Sequence, residues 1–155
     1  ITVEYKGISS FFNTTKGAYA GNIIASQEYI LKSLTQYISE SSLINIANAL
    51  TQILTKLIAP HYYGYLGVDM MIYRNDDIYH IAPCVEINLR MTMGVIALIW
   101  AERHLTLGSK GKMIVEYAPN KTIEENYVTI NSKLKSGTIS LIPPDKYFKI
   151  YISVE

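Results

Sequence analysis

The stretch YGYLGVDMMIYRNDDIYHIAPCVEINLRMTMG, Tyr63 to Gly94, decides how the chain is read. It predicts two β-strands, Gly64–Tyr73 and Ile78–Asn88, joined by the polar turn Arg74-Asn75-Asp76-Asp77 and followed at once by a helix. Side chains two residues apart on a strand share a face, so Glu86, Asn88 and Arg90 point together: an acid, an amide and a guanidinium on one short edge. Val85, Ile87 and Leu89 on the opposite parity, with Cys84, supply an apolar side. If the strands pair about their turn, Asp69 comes opposite the end of the second strand, within a residue or two of Glu86.

Two carboxylates and an amide oxygen are hard donors of the kind that suit Mg²⁺, which takes few protein ligands and fills its shell with water and phosphate. The adjacent Arg90 adds a fork for phosphate or carboxylate. The same alternation also describes an ordinary amphipathic hairpin with a solvated polar face, and spacing alone leaves both readings open.

The stretch resembles the signature of the ATP-grasp superfamily, in which a strand carrying a carboxylate precedes one ending in Glu-x-Asn, extended to Glu-x-Asn-x-Arg in the biotin carboxylase and carbamoyl-phosphate synthetase branch. Here the corresponding residues are Gly67-Val68-Asp69 and Glu86-Ile87-Asn88-Leu89-Arg90. The interval from Asp69 to Glu86 is longer than in that branch, and Leu89 stands where proline is common. The resemblance implies that Asp69, Glu86 and Asn88 hold the Mg²⁺ (or Mn²⁺) ions bridging the ATP phosphates, and that Arg90 stabilises the transferred phosphoryl group or an acyl phosphate. Gly17-Ala18-Tyr19-Ala20-Gly21-Asn22 is similar to the Gly-x-His-x-Gly-Asp run of carbamoyl-phosphate synthetases, with Tyr19 and Asn22 in place of the histidine and aspartate. That implies Tyr19 and Asn22 beside the reacting phosphate; the alternative is that Gly17 and Gly21 only permit tight backbone geometry.

The chain's 155 residues amount to about one domain, and 49% hydrophobic against 17% charged residues excludes a disordered chain. A net charge of +1 without a basic tract gives no argument for nucleic acid. The single cysteine excludes an internal disulfide and a thiolate zinc cluster; Cys84 reads as a core residue. His61 and His80 read as surface or satisfied residues, and Tyr62, Tyr63 and Tyr65 as strand or core rather than base-stacking residues. No apolar run is long enough to span a membrane, no signal peptide is indicated, and a cytoplasmic location is expected. Asn13-Thr14-Thr15 and Asn120-Lys121-Thr122 fit the glycosylation tripeptide, which is common by chance.

Outward from the central stretch, residues 1–25 read as a hairpin whose first strand opens at Ile1-Thr2-Val3-Glu4-Tyr5, with turn material at Asn13–Gly17. Ser26 caps a helix carrying Ile30, Leu34, Tyr37 and Ile38. A second helix runs from about Ser41 or Ser42 to before Pro60, with a stripe of Leu43, Ile46, Ala47, Leu50, Leu54, Leu57 and Ile58 directed at the sheet. A third spans about Thr92 to Leu105. Met113–Tyr117, Thr138–Ile142 and Phe148–Val154 read as strands, the last two joined by Pro143–Lys146, and Thr122–Lys133 is open between short helix and irregular segment.

The fold class expected is α+β, a mainly antiparallel sheet with helices packed on one face. The resemblance implies the C-terminal subdomain of a larger ATP-grasp ligase, with the glycine-rich lid and phosphate-binding lysines upstream. The expected partners are that missing part of the same protein, a small carboxylate substrate and, as an option, a second copy in a homodimer; neither nucleic acid nor membrane is expected. This piece alone is then expected to be inactive. A second reading is a non-catalytic α+β binding or assembly module that keeps the fold.

Overall fold

Val154 and Ile152 of the last strand, both buried, mark the centre of the molecule. The computed structural model describes residues 1–155. Its elements in chain order are β1 (Phe11–Asn13), β2 (Tyr19–Ile24), α1 (Gln27–Leu34), α2 (Glu40–Leu57), β3 (Gly67–Asn75), β4 (Ile78–Asn88), α3 (Met93–His104), β5 (Gly111–Tyr117), β6 (Asn126–Ile130), β7 (Lys133–Ser140) and β8 (Phe148–Val154). Six strands form one antiparallel sheet in the order β1-β2-β5-β8-β7-β6, and β3 with β4 forms a separate two-stranded sheet. The architecture is thus α+β and mainly antiparallel, as expected.

The core collects Ile24, Ala97, Leu105, Met113, Leu134, Ile152 and Val154 where α3 lies over β2 and β7. Thr92 starts α3, its hydroxyl accepting from the Val95 amide at 3.3 Å, and Ala97 is the small residue that brings the helix close to the strands. Strand β8 is covered on both sides. Ile152 and Val154 face the core, while Lys149 and Tyr151 on the other parity are also buried, Tyr151 receiving a bond from the Lys121 ammonium at 2.9 Å. Phe148, on the same parity as Ile152 and Val154, lies exposed at the end of the strand.

Gly21 sits where β2 meets β5. Its φ is 155° and a Cβ there would stand 1.9 Å from the Met113 carbonyl oxygen, so this position needs glycine for close approach.

Ser26 and Ser39 cap α1 and α2, each accepting from the amide three residues on at 3.2 Å. The first helix ends at Leu34, so Tyr37 and Ile38 lie in the turn before α2 and not in the helix assigned to them from spacing. Leu43 and Leu54 of the α2 stripe are buried, whereas Leu57, at its C-terminal end, is 65% exposed.

Other expectations fail; Tyr63, expected in a strand or the core, lies outside any strand and is 99% exposed. Residues 1–10 form no strand; they are pinned side-on by Thr55, whose hydroxyl accepts from Val3 N at 3.0 Å, and by Gln27, whose amide bonds both Ile8 N (2.8 Å) and Ile8 O (2.9 Å). The ambiguous stretch Thr122–Lys133 contains a strand, β6, that turns into β7 through Asn131 and Ser132 at φ 50° and 62°, the left-handed pair of a tight hairpin turn. Cys84 is exposed rather than core, because the sheet it belongs to is not part of the main one.

Candidate functional site

The β3–β4 hairpin turns through Asp76 and Asp77, both left-handed (φ 46° and 68°), with Asn75 opposite Ile78. From there to Met71↔Ala82 the pairing is regular, and continued unchanged it would set Asp69 against Cys84. It does not continue. Between Asp69 and Met71 the register shifts, and Asp69 pairs with Glu86, Val68 with Ile87 and Gly67 with Asn88. β4 therefore carries two extra residues in a bulge around Pro83-Cys84-Val85, at a residue that has no amide to give to a ladder.

Directly opposed residues of an antiparallel pair project from the same face. The bulge therefore puts Asp69 and Glu86 side by side, with Asn88 two pairs further on and its Nδ2 donating to Asp69 Oδ2 at 3.4 Å. Asp69 and Asn88 are half-buried and Glu86 is exposed. The Asp69 carboxyl is held above its ordinary pKa, first by burial and then by the Glu86 charge, with Arg90 acting in the opposite direction.

The chain leaves β4 through a tight turn, Arg90 N donating to Asn88 O at 2.9 Å. The exposed guanidinium of Arg90 enters no ion pair; the pairs in the chain are Lys6–Glu4, Arg74–Asp77 and Lys121–Glu116. Gly67 lies directly beneath Thr92, where an added Cβ would be 2.9 Å from Thr92 Cγ2. The N-terminus of α3 thus abuts the base of the hairpin.

No third His, Cys, Asp or Glu joins Asp69 and Glu86, so the third hard donor within reach is the Asn88 amide. Two carboxylates and an amide suit Mg²⁺, whose other ligands are water and phosphate. A dication there would also offset the Glu86 repulsion that adds to burial in raising the Asp69 pKa.

Tyr19 and Asn22 lie elsewhere, on β2 of the large sheet. The Tyr19 hydroxyl donates to Asn22 Oδ1, and Asn22 Nδ2 donates to Ser10 O at 3.4 Å. Asn22 is 1% exposed, and burial pushes the Tyr19 phenol up to about 12. Their hydrogen bonds run to each other and to the segment before β1, not to the hairpin. The structure therefore brings Asp69, Glu86, Asn88 and Arg90 together and keeps Tyr19 with Asn22 as a separate pair.

Two surface depressions lie away from both groups: one of about 490 Å³ lined by Glu28, Leu31, Lys32, Thr35 and Glu40, and one of about 200 Å³ between Ser26, the end of α3 and Lys133. Sequence reasoning missed Thr92 under Gly67 and the contact of Tyr37 with Tyr79 described below; Pro83 inside a strand was the available signal for the bulge.

No family model, curated protein or solved structure matches the chain. No helix is long and apolar enough to cross a membrane.

Proposed function

We propose that this chain is the C-terminal catalytic subdomain of an ATP-grasp ligase acting in the cytoplasm, in which ATP phosphorylates a small carboxylate and an amine or similar nucleophile then displaces phosphate. The observation that carries the reading is the cross-strand pairing of Asp69 with Glu86, with Asn88 on the same face. An unrelieved pair of like charges directly opposed across two strands is destabilising, and a hairpin that shifts its register to create one calls for a counter-charge.

In this reading Asp69, Glu86 and Asn88 hold magnesium, which when bound neutralises charge on the phosphates. The chain's own groups do the rest. Asp69, held by Asn88, gives the cation a fixed ligand, and Glu86, exposed, reaches it from the other strand. Arg90, free of any ion pair, presents its fork to the oxygens of the phosphoryl group or of the activated carboxylate. Phosphoryl transfer of this kind is mainly positioning and charge stabilisation. Asn22, 1% exposed, offers the nucleotide no surface, and Tyr19, its hydroxyl committed to Asn22, would meet it only through its ring.

Titration calorimetry of MgATP into the full-length protein and its Glu86→Ala form tests this. Loss of one carboxylate ligand is expected to weaken Mg²⁺-dependent binding at least tenfold and to abolish turnover; equal affinity and equal turnover in both would overturn the assignment.

One observation favours the second reading, a non-catalytic assembly module: Val85, Ile87, Leu89 and Met91 are all exposed along β4 and the turn after it. An assembly role predicts that Val85→Ser changes the sedimentation behaviour of the protein while Glu86→Ala changes nothing.

A further inference from the structure

The hairpin has no ladder to the main sheet, and β3 and β4 approach each other far more closely than either approaches any other element. A two-stranded sheet alone is at best marginally stable in water, so what fixes this one relative to the body must be side-chain contact. At the base that contact is Gly67 under Thr92. Towards the turn it is the Tyr79 ring of β4, meeting the Tyr37 ring edge-on with centroids 4.9 Å apart and planes at 63°. Tyr37 belongs to the short connection between α1 and α2, two residues before the Ser39 cap of α2. Five residue pairs, from Val68↔Ile87 to Tyr73↔His80, separate the base contact from Tyr79, which pairs with Arg74, so the two contacts clamp the hairpin near both ends of its ladder.

We infer that Tyr37 is a positioning residue: its edge-on contact with Tyr79 latches the hairpin to the α1–α2 connection and thereby holds Asp69 and Glu86 in place relative to the start of α3. The positional part stands on geometry alone, whereas its consequence for cation binding rests on the ligase reading above. Thr92 follows β4 in the chain and caps α3, while Asp69 rides on β3; a hairpin that tilts about its base changes the distance between Asp69 and the start of α3. The Tyr37 ring, on a different element from either, is placed to oppose that tilt. A T-shaped ring pair has a preferred geometry that an aliphatic contact lacks, which suits a latch.

The experiment is amide hydrogen exchange on the full chain, read in β3–β4 and separately in β5 and β8, together with Mn²⁺ affinity by electron paramagnetic resonance. Tyr37→Ala is expected to speed exchange in the hairpin roughly fivefold, the equivalent of one aromatic pair, to weaken Mn²⁺ binding by a similar factor and to leave β5 and β8 unchanged. Tyr37→Phe keeps the ring and is expected to behave as wild type. Tyr79→Ala approaches the same contact from the hairpin side and should match Tyr37→Ala, with no added effect in the double variant. Unchanged hairpin exchange in Tyr37→Ala, equal acceleration in β5 and β8, or additive single effects would each overturn the latch. Faster hairpin exchange in a protein whose wild type binds no Mn²⁺ would uphold the latch and overturn the ligase reading instead.

Discussion

The six-stranded sheet and the β3–β4 hairpin solve opposite problems with the same kind of strand. In the large sheet the central strand β8 is covered on both sides, and even its polar residues Lys149 and Tyr151 are buried and bonded. In the hairpin, Met71, Tyr73, Ile78, Val85 and Ile87 remain exposed, and two acids stand face to face. The two regions draw their stability from different sources. Buried apolar area stabilises the sheet, and the hairpin, drawing little from burial, carries the charges that a stable core could not tolerate. Sites that bind or react are commonly drawn from the less stable end of a structure.

The sharpest way to break this contrast is to truncate the sheet's centre. Ile152 is fully buried among Ile24, Met113 and Val154, so Ile152→Ala should cost about 2–5 kcal/mol in urea unfolding. A cost near zero would mean the large sheet is not the stabilising body.

Of intermediate size is Tyr19→Phe, which leaves the buried Asn22 amide oxygen without its donor and should cost about 1–2 kcal/mol. This variant also sharpens the contrast through pH. The Tyr19 phenol titrates at about 12 in the folded protein against about 10 in an unfolded chain. Folding therefore favours the neutral phenol. The associated stability is complete below the unfolded value and is lost as pH rises through the folded one. The gap between wild type and Tyr19→Phe should accordingly narrow between neutral pH and strongly alkaline pH, as followed by urea midpoints.

The smallest effect has the opposite sign. Because burial and Glu86 raise the Asp69 pKa, the ionised carboxylate opposes folding at neutral pH, and Asp69→Asn should stabilise by about 0.5 kcal/mol there. The gain should vanish on acidification below the ordinary carboxylate pKa of about 3.9, where both states are protonated. Saturating Mg²⁺ should reverse the order of the two melting temperatures, since only the wild type keeps both carboxylates; an unchanged order would remove the cation from the site.

Much of this was legible from local signals. Ser26 before Glu28, the polar turn at Asp76-Asp77 and the parity of Glu86 and Asn88 each act within a few residues, and each gave its element or face. What was not legible depends on long-range pairing. Ile1–Tyr5 has strand-forming residues, yet Thr55 takes up the Val3 amide and Gln27 the backbone of Ile8 just beyond, and no neighbouring strand does. Cys84 reads as core only if its sheet joins the main one, and no periodicity reports which strands neighbour which. β6 lacks a buried face, all five residues being exposed, and so offers no alternation by which to recognise it.

The bulge at Pro83-Cys84-Val85 has a wider consequence. By adding residues to one strand in a pair, it lengthens the interval between the two acids while preserving the side from which they emerge. An odd insertion would turn Glu86 away from Asp69; an even one slides it into place. Hairpins of this kind can thus drift in length by steps of two and still offer the same pair of oxygens, which makes parity, and not distance along the chain, the property to look for in such a site.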